Sequence, residues 1–129
     1  MNISPVTPES LARDAVEFHA LLRDAVEHGA SIGFTRPLAD GEVADYWRKV
    51  GAELAGGDKV LLAARDGTGR LIGSGQLALE PRSNGRHRAE VQKLLVFAAQ
   101  RGRGAGTALM QALEAAARAR GRTLLFLDT

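Results

Sequence analysis

The chain has 129 residues, 45% hydrophobic and 25% charged, the size and make-up of one globular domain, which excludes a fibre or a disordered segment. Its charge is uneven: residues 1–64 carry 6 Lys and Arg against 10 Asp and Glu, residues 65–129 carry 11 against 5, and 10 of those 11 are arginine. The lack of cysteine excludes disulfides, thiolate zinc sites and cysteine nucleophiles, and no apolar run approaches the roughly 18 residues of a membrane span.

NISPV at the start leaves a first strand undecided. Thr7 suits an N-cap with Pro8 at the first helical position, and Leu11, Ala15, Phe18, Leu22 and Val26 recur at helical spacing, predicting one helix that Gly29 stops. After GASIGF, Asp40 is placed to cap a second helix carrying Val43, Trp47, Val50 and Leu54, which Gly56 and Gly57 end. KVLLAA and LIGSGQLAL flank Asp66-Gly67-Thr68-Gly69 and predict an antiparallel hairpin. PRSNGRH turns the chain into RAEVQKLLVF, a further strand. Plain alternation puts Glu90, Gln92, Leu94 and Val96 on one of its faces and Val91, Lys93, Leu95 and Phe97 on the other, unless a bulge resets the phase. A helix follows from Ala105 to about Arg120, and TLLFLD, apolar on both faces, reads as a buried parallel strand reached by a right-handed crossover. The order predicts an α+β protein built on a mixed sheet.

The segment Gln100-Arg101-Gly102-Arg103-Gly104-Ala105-Gly106-Thr107 joins a strand to a helix N-terminus. Its three glycines let a ligand approach the backbone, the first-turn N–H groups point outward together, and two arginines favour a diphosphate. It is neither a Walker loop, for want of Gly-Lys-Ser/Thr, nor the dinucleotide pattern, because Thr107 stands where the third glycine belongs. Alone, the loop fits a solvated strand–helix turn as well as an anion cradle. A nucleic-acid surface is disfavoured, since Phe97 and Phe126 are the only aromatic residues in the basic half.

Arg101, Gly104 and Gly106, following a strand that ends LLVF and opening a helix that begins TALMQALE, resemble the coenzyme A signature of the GNAT superfamily of N-acetyltransferases. GASIGF, NGRHRAEVQKLLV, RGRGAG and LLFLDT together are similar to tabtoxin resistance proteins and related small acetyltransferases. The resemblance implies an acyl-CoA N-acyltransferase fold with a splayed strand pair, and acetyl-CoA as co-substrate with no metal. Its diphosphate would lie on residues 101–107, and the backbone N–H groups of Leu95 and Val96 would face the thioester and pantetheine. The acceptor would be a small-molecule amine, such as a toxin or antimetabolite amino acid, rather than nucleic acid or membrane. A coenzyme A-binding module without activity is the alternative.

Glu90 is one of only two acids between Arg82 and Arg122 and is the candidate base for the acceptor ammonium. Asp128 closes the last strand, at the end of the sheet where ligands bind in α/β folds. The resemblance sets the two on adjacent strands facing the cleft. Family members continue past LDT into a further helix and strands, so the chain is expected to be a C-terminally shortened, cytoplasmic form. LLFL would then be an exposed sheet edge prone to self-association.

Overall fold

The computed structural model describes residues 1–28, 38–80 and 88–127; GASIGF, PRSNGRH with its His87, and Asp128 lie outside them. The described residues form β1 (Asn2–Pro5), α1 (Pro8–Arg13), α2 (Ala15–Glu27), α3 (Asp40–Gly56), β2 (Lys59–Arg65), β3 (Leu71–Leu79), β4 (Arg88–Val96), α4 (Ala105–Ala119) and β5 (Leu124–Leu127). The strands make one sheet in sequence order, antiparallel through β4, with β5 parallel to β4 at the edge. The undecided start is therefore a true strand, with Ile3 opposite Ala64.

The single helix expected from Thr7 onward is two. Thr7 does cap it, its Oγ1 accepting from the Ser10 N–H at 3.0 Å, but the backbone turns at Asp14 (φ −101°, ψ 22°). Arg65, at the end of β2, donates to Asp14 at 3.1 Å and to Glu17 at 3.0 Å, tying the break to the sheet. The Arg13 guanidinium also bonds Asp14 and holds its carboxyl below the usual carboxylate range. At the head of α3 the N-cap is Ala39, whose N–H donates to Glu42 Oε1 at 3.2 Å, and Asp40 is the first helical residue, paired with Arg23 of α2. Gly57 ends α3 at a left-handed φ of 84°, a conformation glycine adopts without a Cβ penalty.

Period-two alternation in β2 builds two cores. Leu61 and Ala63 join Phe18, Leu22 and Trp47 under α1–α3, while Val60, Leu62 and Ala64 join Leu109 and Leu113 under α4. Phe18 and Trp47 meet edge to face at 5.1 Å. Each fully buried leucine contributes about 1.5–3 kcal/mol, so a sheet covered on both faces fixes the strand order firmly.

β4 departs from plain alternation. Gln92 pairs with Gln76 of β3 and Leu95 pairs with Ser74, so β4 carries one residue more than its partner, and Lys93 sits at a left-handed φ of 49°. Val91 faces α4, as alternation requires, but Leu95 now lies in the opposite core with α1–α3, and Val96 returns to the α4 side. The grouping of Val91 with Leu95 is therefore overturned by the bulge, which leaves Glu90, Gln92 and Leu95 on the α1–α3 face.

Gly73 makes this close pairing fit. A Cβ there would stand 2.5 Å from the Leu95 carbonyl oxygen, a backbone atom that cannot swing away. Gly73→Ala is expected to lower unfolding stability by about 1–3 kcal/mol in urea titrations. An unchanged midpoint would show that β3 and β4 part here without cost.

Candidate functional site

α4 begins at Gly104, a left-handed N-cap (φ 85°, ψ 5°), preceded by Gly102 at φ 81°. Those two glycines are required by backbone conformation. Gly106 is not, since it has helical backbone and a Cβ on it would meet nothing within 4 Å. Neither packing nor φ demands glycine there, and it leaves the first turn of α4 bare on the side that lines the groove. The first helical bond runs from the Ala108 N–H to Gly104 O at 3.0 Å, which leaves the N–H groups of Ala105, Gly106 and Thr107 without an intrahelical acceptor. With the positive end of the helix dipole behind them, they form an anion cradle.

The cradle is one wall of an open groove of about 380 Å³. Arg101 and Gly102 line its entry, Gly104 to Thr107 its helix wall, Leu94, Leu95 and Val96 its strand wall, and Ala25 of α2 closes it. Of the residues predicted to hold a coenzyme, Arg103 alone is not in the lining; it is exposed beside it. Leu95 is 2% exposed with its side chain in the core, so backbone is what it can offer. Among the described residues β5 pairs with β4 from Arg88 to Val91, and Leu95 and Val96 pair with β3 alone. Among those residues no strand flanks the other edge of β4 at Leu95 and Val96, where backbone groups can meet an extended ligand.

Glu90 is half-buried on the face opposite α4, and its Oε1 accepts from Gln92 Nε2 at 2.7 Å. It borders a second hollow of about 400 Å³ with Ala78, Arg88 and Phe126 rather than the glycine groove. Four residues of strand, roughly 13 Å, separate it from Leu94. The structure therefore sets Glu90 on the part of β4 that pairs with β5 and the cradle at the other end of the strand. Asp128 falls outside the described residues.

The sequence reading missed a buried polar chain beside Glu90. Gln76, 1% exposed, accepts from Lys59 Nζ at 2.9 Å and donates to Tyr46 Oη at 3.0 Å, and Lys59 Nζ also donates to Glu53 at 3.1 Å. Burial pushes the Tyr46 hydroxyl up to about 12, against the lowering bond from Gln76, so it stays protonated at neutral pH. The signal was present in LIGSGQLAL, where Ser74 and Gln76 at period two make one face of an apolar strand polar. Trp47 is core, as expected, and among the described residues no three His, Asp or Glu side chains gather as a metal set.

A mixed five-strand sheet with helices on both faces is the architecture of the acyl-CoA N-acyltransferases. Residues 23–129 match the acetyltransferase (GNAT) family, and the chain belongs to it. A ribosomal-protein-alanine N-acetyltransferase from Brucella melitensis superposes with a TM-score of 0.76 at 23% identity over 98% of this chain and 73% of that one. A predicted acetyltransferase from Clostridium acetobutylicum, solved with acetyl-CoA, gives 0.73 at 16% identity over 99% and 80%. An aminoglycoside acetyltransferase from an uncultured soil metagenomic sample, in complex with sisomicin, gives 0.73 at 14% over 99% and 76%. At such identities the likeness is one of fold. The family as a whole transfers acetyl groups from acetyl-CoA.

Proposed function

We propose that this chain transfers the acetyl group of acetyl-CoA to the amine of a small molecule, by direct attack in a ternary complex. The observation that carries the reading is the bare first turn of α4, where an unneeded glycine lines the groove. The N–H groups of Ala105, Gly106 and Thr107, with Arg101, would hold the diphosphate. The open edge of β4 at Leu95 and Val96 would hold the arm and orient the acyl carbonyl through backbone N–H groups. Bound acetyl-CoA supplies the activated acyl group. Glu90 takes a proton from the acceptor ammonium, directly or through one water, which frees the lone pair to attack the acyl carbonyl. As the C–N bond forms the C–S bond breaks, and the departing thiolate takes up the nitrogen's second proton. Asp128, which follows Leu127 in the chain, would add a second negative charge that attracts that ammonium. Similarity in motifs to tabtoxin resistance proteins supports amino-acid antimetabolites as acceptors.

The test is calorimetric titration with acetyl-CoA, followed by thiol release on adding a panel of primary amines. Saturable binding with amine-dependent thiol release is expected. Absence of acetyl-CoA affinity, with DNA binding that weakens steeply as salt rises, would overturn the reading in favour of a polyanion binder.

A further inference from the structure

We infer that Lys59 reads a carboxylate on the acceptor, so that the amine brought to Glu90 belongs to an α- or β-amino acid; this rests on the acetyl-transfer reading above. Lys59 of β2 stands opposite Ala78 of β3, which stands opposite Glu90 of β4. Directly opposed residues of antiparallel strands share a face. A lysine and a glutamate therefore flank a single methyl group on one face of the sheet, their Cα atoms two strand spacings, about 10 Å, apart.

The small side chain of Ala78 leaves room between them. A hollow of about 480 Å³ is lined by Ala78, Gln92, Lys59, Glu53 and Lys49, with the exposed Asp58 also on its wall. The 400 Å³ hollow that holds Glu90 shares Ala78 and Leu79 with it. An amino acid carries its ammonium and its carboxylate one or two carbons apart, matched in sign to Glu90 on one side of Ala78 and Lys59 on the other.

The charges are held ready. The Lys59 side chain is 9% exposed, an expensive place for an ammonium unless its donors are used. Glu53 and Gln76 take two of its three N–H groups, and the third is left at the hollow that Lys59 lines. Because an ammonium only donates, Gln76 must turn its oxygen to Lys59 and its nitrogen to Tyr46, which locks the amide. Glu53 is 39% exposed, so the pair is open at one side and a substrate carboxylate can share the cation. On the other flank Gln92 engages Oε1 of Glu90, leaving Oε2 to the amine.

The experiment titrates the CoA-saturated chain with matched pairs, L-phenylalanine against phenethylamine and L-lysine against cadaverine, by calorimetry. Each amino acid is expected to bind at least tenfold tighter than its decarboxylated partner. Lys59→Gln should erase that preference without changing acetyl-CoA affinity. Glu53→Gln, which removes the competing carboxylate, should widen it. Equal affinities in the unsubstituted chain, no amino-acid binding while acetyl-CoA binds, or a preference that survives in Lys59→Gln would each overturn the inference and leave the acetyl-transfer reading standing. Failure of the unsubstituted chain to bind acetyl-CoA would bring down both. The comparison within the unsubstituted chain decides the matter even if a variant folds poorly.

Discussion

Gly106→Ala is expected to weaken acetyl-CoA binding at least tenfold, and Gly106→Val about a hundredfold, while leaving the alanine variant's fold as stable as the unsubstituted chain's or more so. The two effects separate because Gly106 has helical backbone and open space where a Cβ would go. In the free protein an alanine there clashes with nothing and gains up to about 1 kcal/mol of helix propensity. In the complex the same methyl group occupies the space over the first-turn N–H groups that an anion must reach. Gly104 gives a less clean answer, since its φ of 85° makes any side chain strained whether or not a ligand binds. Arg120→Ala, at the C-terminal end of α4 and exposed, serves as the binding control and should leave acetyl-CoA affinity unchanged. Calorimetry and urea unfolding on the same preparations supply both readouts. Equal coenzyme affinity for Gly106→Val and the unsubstituted chain would mean that the cradle is an ordinary strand–helix turn.

Features set by local periodicity were legible in the sequence. α4 was visible because Leu109, Ala112, Leu113 and Ala116 repeat at helical spacing, and the β2–β3 hairpin because Asp66-Gly67-Thr68-Gly69 is a turn-forming cluster, in which Asp66 accepts from the Thr68 and Arg70 N–H groups. What escaped depends on residues far apart in the chain. The break at Asp14 is held by Arg65, 51 positions away, and the helical stripe runs on across it, so periodicity alone reports one helix. The bulge in β4 is defined by a count against β3, which no single strand displays, and Lys93 carries no glycine-like mark of its left-handed backbone. The glycine loop was legible as a possible cradle because helix N-termini expose N–H groups wherever they occur. That its helix wall meets the open edge of β4 required the topology. Lys59 and Gln76 were hidden for the same reason, because their partners come from α3 and from each other across the sheet.

Glu90→Gln is expected to lower the acetylation rate by about 10²–10³ near neutral pH, with acetyl-CoA affinity changed less than twofold. The substitution keeps the side chain's shape, and the new amide's oxygen can still accept from Gln92, so structure is conserved while the proton acceptor is lost. Its signature lies in the pH profile. A primary amine of ordinary basicity, near 10, is almost wholly protonated at neutral pH, and the native carboxylate is proposed to relieve it of that proton. As pH rises toward the amine's own pKa, solvent does this unaided, and the deficit of Glu90→Gln should shrink from unit to unit. A residue that merely braced β4 would give a deficit independent of pH. Asp128→Asn, which removes charge without removing the base, should raise KM for the amine more than it lowers kcat, and the increase should lessen as salt screens the attraction. If both variants turn over at the unsubstituted rate across the pH range, the proton must leave by another route, and the buried chain through Tyr46, Gln76 and Lys59 becomes the next place to look for it.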